Sequence, residues 1–258
     1  MLRKAISLVL ALIVCAMIVA GIDCVRHAMA IGRLEKKSVT FEIWHYRFTG
    51  VDVPDSLRDA TPGTWREKLR RLIATPQVAF LWSTVDETRP GFDRSIIPDL
   101  TPLRIEEFTI GSYRGLTSAV ASELSKVSSI HWLSIDDCDL ANEDLNRLWT
   151  QMPNLEVVML EGTEFSDRGF QDVRAARNLG RLVLHGMGIN DATIAHLREA
   201  PGLEELDMTW VGVTKDSASL LAAMPALRKV KLQDVSAGTA IAVELRMLNP
   251  KIAVEVVQ

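Results

Sequence analysis

Cysteine is scarce. The 258-residue chain holds three, Cys15, Cys24 and Cys138. A disulfide-stapled fold is therefore excluded, and only Cys138 lies beyond residue 30, so no disulfide can close within the main body. A surplus of positive charge is also missing. The formal net charge is −4 and the pI is near 5.8, which argues against a nucleic-acid partner. There is no Gly-rich phosphate loop, no HExxH and no CxxC. His131, His185 and His196 do not recur at like spacing, so they do not converge as metal ligands. No cofactor or metal is expected. The chain does not lack apolar material, which makes up 48% of it and excludes a disordered chain.

Residues 5–22 form a run of 18 residues without a charge, preceded by Arg3 and Lys4. At ~1.5 Å per residue a helix of that length spans ~27 Å, close to the ~30 Å hydrocarbon core. A cleaved signal peptide has a shorter apolar stretch, with small residues close behind it. Here the A-x-A pattern (Ala28, Met29, Ala30) falls beyond Asp23, Arg26 and His27. The reading is therefore a retained single-pass transmembrane anchor. The two flanks carry nearly equal positive charge, so the positive-inside rule decides little. With the amino terminus inside, the remaining chain is expected on the extracytoplasmic side.

The second half repeats. The pattern L-x-x-L-x-L, with any apolar residue at the L sites, starts at Ile105, Ile130, Leu155, Leu179, Leu203 and Leu227. The starts are 24 or 25 residues apart, and six matches in phase are not chance. A further step leaves only Val254 and Val256. Counting each start as position 1, the residues at positions 4 and 6 alternate with polar ones at period two, as a strand requires. Apolar residues follow near positions 11, 16 and 19, where a short helix can turn them inward. Asp167 and Asp191 stand where a carboxylate caps such a helix.

Residues 155–170 read LEVVMLEGTEFSDRGF, and these residues resemble the leucine-rich repeat family. The resemblance is to the helix-containing, ribonuclease-inhibitor-like or cysteine-type bacterial subtype. Position 9, often Asn in that family, holds Cys138, Thr163, Met187, Val211 and Val235, so an asparagine ladder is not expected there. The implied fold is α/β: a right-handed βα solenoid with a parallel concave sheet, an N-terminal transmembrane helix and a small α+β cap. Residues 1–30 form the anchor, 31–100 a linker and cap, and 101–258 about six repeats with a terminal strand. Within the cap, residues 38–48 read as one strand, either buried on both faces or pairing with the anchor-proximal chain. Residues 64–67 (TWRE) match a capping box opening a helix, and 78–82 read as a strand beginning the sheet.

In this family the outward strand positions form the binding surface. The resemblance thus implies a concave-face site holding Trp132, Val157, Met159, Arg181, Val183, His185, Glu205, Asp207 and Lys229. Adjacent strands are ~4.8 Å apart, so Trp132, Val157, Met159 and Val183 cluster into an exposed apolar patch. Arg181, Glu205 and Lys229 form a charged row beside it. A patch of this kind fits a protein partner. The expected function is a membrane-tethered protein-interaction module, not an enzyme. Two alternatives stand beside it: a structural envelope protein that self-associates, and an unrecognised enzyme using Glu161 and His185 as an acid–base pair. For the enzyme, a Glu161–His185 contact of ~3 Å should sit inside a well-formed pocket.

Overall fold

In the computed structural model, the structure describes residues 26, 29–37, 39–41, 46–48, 51–52, 75–76, 78–82, 94–103, 105–111, 122–162, 165–186 and 188–257. The expected anchor (5–22) and capping box (64–67) lie outside them. Among the described residues no helix is long and apolar enough to cross a bilayer.

The repeats build one ladder. Each L-x-x-L-x-L core becomes a five-residue strand: β6 (Glu107–Gly111), β7 (Trp132–Asp136), β8 (Val157–Glu161), β9 (Arg181–His185), β10 (Glu205–Thr209) and β11 (Lys229–Gln233). β5 (Val78–Trp82) precedes them and β12 (Ala253–Val257) follows. From β5 to β12 every neighbouring pair is parallel. The register matches like positions: Leu133 stands opposite Val158, then come Leu182, Leu206 and Val230. All five are at most 1% exposed. Fully burying one such side chain stabilises by roughly 1.5–3 kcal/mol. A lone strand has nothing to bury against, so each rung depends on its neighbours. The arrangement is a stacked parallel ladder with helical returns along one face, as the resemblance implies.

Two further hydrogen-bond rows bind the rungs. The carbonyl at position 2 accepts from two successive amides of the next repeat, as when Glu156 O takes Gly180 N and Arg181 N at 2.9 and 3.0 Å. Asparagine does appear in a ladder, though not at position 9. Asn154 and Asn178, each just before position 1, donate side-chain N–H to Ser128 O and Pro153 O of the preceding repeat at 3.0 Å. At position 9, Cys138, Val211 and Val235 are instead buried. An apolar side chain there packs inward and leaves turn carbonyls to other donors.

Helical stretches cover one face: α2 (Asn142–Gln151), α3 (Asp191–Leu197), α4 (Ser217–Ala222) and α5 (Gly238–Leu248) follow α1 (Ile97–Leu100). Their apolar sides, such as Leu145, Leu148 and Trp149 on α2, meet positions 4 and 6 in one core. In the repeat beginning at Leu155, two short 3-10 turns replace the α-helix. Asn142 and Asn146 of α2 hold those turns, accepting from Ser166 N and Asp172 N at 3.0 Å. Trp149 Nε1 donates to Gly169 O at 2.9 Å.

Two expectations are corrected. Residues 38–48 are not one strand. β1 (Val39–Phe41) pairs antiparallel with β5, while β2 (Tyr46–Phe48) belongs to a separate small sheet with β3 (Val51–Asp52) and β4 (Thr75–Pro76). Val39 and Phe41 thus lie in one sheet, and Tyr46 and Phe48 in the other. Asp167 and Asp191 do not cap. Ser166 and Asn190 take that place, and Asn190 forms a capping box with Thr193. The cap residue must stay outside the first helical turn, which puts it one position earlier than expected.

Ahead of the repeats, a helical run at 29–35 buries Ile31 and Leu34 in the same core. Arg33 Nε donates to Asp99 Oδ1 at 2.8 Å, holding this run to α1.

Candidate functional site

Positions 3, 5 and 7 of the strands point away from the helices. The register places Trp132 beside Val157 and Arg181 in the position-3 row, continuing to Glu205 and Lys229. The position-5 row runs Ser134, Met159, Val183, Asp207, Lys231, and the position-7 row Asp136, Glu161, His185, Thr209, Gln233. So the nine residues expected to form a site do share one sheet face. The apolar four are half-buried, not exposed as the sequence suggested.

Asp207 departs further. It is only 9% exposed, so it is not a surface carboxylate. Arg181 Nη2 donates to its Oδ2 at 2.6 Å and Arg181 Nε lies 3.7 Å from Glu205 Oε2. One guanidinium thus bridges two acids of the next strand, a geometry the flat fork of arginine favours. Asp207 Oδ1 is buried without a hydrogen-bond partner. On the other side, Lys229 and Lys231 make no ion pair among the described residues.

At the carboxy-terminal ends of the strands, His185 Nδ1 lies 2.7 Å from Glu161 Oε1. Asp136 is the next carboxyl in that row. Its pKa is raised above the ordinary carboxylate value, first by burial and then by the negative charges of Glu161 and Asp137, with His185 opposing.

Sequence reasoning missed Trp210. It is 55% exposed, and its ring stands edge-on to His185 with centroids 4.8 Å apart. The missed signal was position 8. There the backbone is left-handed in every repeat from Asp137 (φ 48°) through Gly162 (61°), Gly186 (143°) and Trp210 (53°) to Asp234 (50°). The amide of Asp137, Gly186, Trp210 and Asp234 reaches the position-7 carbonyl of the next repeat at 2.9–3.2 Å. Gly costs nothing in that conformation and Asp little, but a bulky residue there is strained. Trp in that slot is the exception to the row.

The Glu161–His185 contact expected for an acid–base pair is present, and neither side chain lines the open groove of the sheet face. The open groove of about 510 Å³ lies at the opposite, amino-terminal ends of β8–β10. Glu156, Val157, Asn178, Arg181, Glu204 and Glu205 line it. No three His, Cys, Asp or Glu side chains converge as metal ligands among the described residues.

Neither a protein-family model nor a curated protein matches the chain. Among solved structures, an internalin (InlF) from Listeria monocytogenes aligns over 68% of this chain at 10% identity, with a TM-score of 0.39. This chain spans 60% of that internalin's length.

Proposed function

We propose that the protein is a membrane-tethered interaction module that seats a partner protein on the helix-free face of its repeat sheet. In this reading residues 1–30 anchor it, 31–100 cap the solenoid, and the repeats stand on the extracytoplasmic side as a helix-containing leucine-rich repeat domain. The observation that carries it is the block Trp132, Val157, Met159 and Val183. These four residues occupy neighbouring register positions across β7–β9 on the face away from the helices, beside the Arg181–Asp207 bridge. A central apolar anchor with charge at its rim is how partner surfaces are built.

The test uses the full chain in native membranes, with a photocrosslinking residue at Val157 or Lys229 and, as control, at Thr239 on α5. A discrete adduct from the first two and not the third is expected. Equal capture from all three, or none from the open face, overturns the reading. Membrane tethering is checked by alkaline extraction, where the full chain should stay with lipid and a chain lacking residues 1–30 should not.

A specific observation favours self-association as the second reading. Val243, Met247 and Leu248 of α5 are each more than half exposed. If the purified full chain sediments as a dimer that Met247→Glu dissociates, this face is the interface.

A further inference from the structure

The two ends of the long sheet are closed differently. At the first end, β1 pairs antiparallel along β5, and the helical run at 29–35 buries Ile31 and Leu34 in the core. At the last end, β12 is the outermost strand. Its Val254 and Val256 stand in register with Val230 and Leu232, at the core positions 4 and 6. Those positions are fully buried on β9, β10 and β11, but Val254 and Val256 are only half-buried. Among the described residues no further rung covers them.

The helix beside that rung is open on the same side. Val243, Arg246 and Met247 of α5 are three and four residues apart, so they share one flank. Arg246 Nη2 donates to Val254 O at 2.9 Å, which sets that flank against β12. Ala253 N donates to Arg228 O and Val257 O accepts from Asp234 N, so the odd residues of β12 face β11. Val254 O therefore lies on the outer edge. A guanidinium already takes that carbonyl, which guards the edge against an added strand. Contact at this end is thus made by side chains: Val243, Met247 and Leu248, each more than half exposed, then Val254 and Val256. Apolar residues grouped in this way mark an interaction site, whereas single ones do not.

The charges around the patch identify its occupant. Lys251 and Glu255 are exposed, and neither makes an ion pair among the described residues. They have opposite signs and lie at equal distances along the chain on either side of Ala253. A two-fold axis at Ala253 turns this edge onto itself in the antiparallel sense. Lys251 of each copy then meets Glu255 of the other, and the apolar strip meets its own image, as an isologous contact requires. A head-to-tail copy finds no such match, because β1 covers the first end of the sheet.

On the self-association reading above, we infer that this open end binds a second copy of the chain through a two-fold contact centred near Ala253. Val243, Met247 and Leu248 pack against their counterparts and close the core over Val254 and Val256. Lys251 and Glu255 fix the register from the rim, where charges select a partner more than they add affinity.

The experiment uses the full chain in detergent micelles, with its mass followed by sedimentation over a range of concentrations. The wild type should be a dimer. K251E and E255K each set like charges against one another at both contacts, so either alone should weaken dimerisation at least tenfold. An equimolar mixture of the two should dimerise as the wild type does, because each contact then joins unlike charges again. The double variant K251E/E255K should do the same by itself. Both positions are exposed, and melting curves verify that every variant folds. Single variants as dimeric as the wild type, a mixture that stays monomeric, or open-ended oligomers overturn the two-fold contact. If Met247→Glu still dissociates the assembly in that case, self-association through α5 stands in another arrangement. A wild type monomeric at every concentration, or a dimer indifferent to Met247→Glu, removes both. A photocrosslinking residue at Met247 that joins the chain to a different protein and not to itself gives this end to another partner, and overturns the inference as well.

Discussion

Arg181 of β9 reaches across to Asp207 of β10 at 2.6 Å and leaves the other carboxylate oxygen buried and unpaired. The bond joins two repeats on the face away from their shared core. Its two ends are unequal: the Arg181 side chain is 45% exposed and that of Asp207 12%. Removing the exposed partner strands the buried one.

Arg181→Ala should therefore destabilise by about 1–3 kcal/mol, the cost of leaving a buried polar group unsatisfied. Adding Asp207→Val should restore most of the loss, because both polar partners are then gone. Urea denaturation of the wild type, both single variants and the double variant checks this. Additive losses in the double variant would contradict the coupling.

Asp136 should make the protein less stable at neutral pH than its amide. Its folded pKa is raised, so the folded state binds more protons than the unfolded chain between the ordinary value of ~3.9 and the raised one. That contribution is fully present below the unfolded pKa and is lost as pH rises through the folded one. Asp136→Asn should raise the melting temperature at pH 7, with the gain fading as pH falls to about 3. A gain that is the same at both values would refute this electrostatic account.

Asp191 should act with the opposite sign. Burial opposes its charge, but hydrogen bonds from Ser217 and Thr214 of the next repeat outweigh it, and its pKa is lowered. Thr214 N donates to Oδ1 at 2.8 Å and Thr214 Oγ1 to Oδ2 at 2.5 Å, while Ser217 Oγ donates to Oδ1. Its stabilisation is present above the unfolded pKa of ~3.9 and is lost as pH falls through the lowered value. Asp191→Asn should thus unfold more readily at pH 7, and the gap to the wild type should narrow as pH falls below ~3.9, by chemical denaturation at each pH.

Gly188 should not tolerate a side chain. A Cβ there would fall 1.9 Å from the carbonyl oxygen of Phe165, a backbone atom of the preceding repeat. The rungs would have to separate. Gly188→Ala should cost at the upper end of the roughly 1–3 kcal/mol seen for overpacking. Gly180→Ala, whose Cβ would meet only Glu156 O at 3.8 Å, should cost much less. Comparable melting temperatures for the two variants would refute the close approach.

What the sequence determined by itself was the ladder. Apolar side chains at positions 1, 4 and 6 recur every 24 or 25 residues because each rung buries the same three against the next, and that constraint is written in one dimension. The same periodicity put Trp132, Val157, Arg181, Glu205 and Lys229 in one row before any coordinates. Tertiary structure alone decided what those row members do to one another. Whether Asp207 is a surface acid or a buried one held by Arg181 depends on side-chain reach across a strand gap. Trp210 joined the site because position 8 turns left-handed and swings its ring over His185. No apolar period marks such a turn, since nothing at position 8 faces the core. Asp191 looked like a cap because it starts a helix, yet its oxygens are spent on Thr214 and Ser217, more than twenty residues ahead. The split of 38–48 between two sheets was equally out of reach, because strand pairing is chosen by distant partners and not by the residues that form the strand.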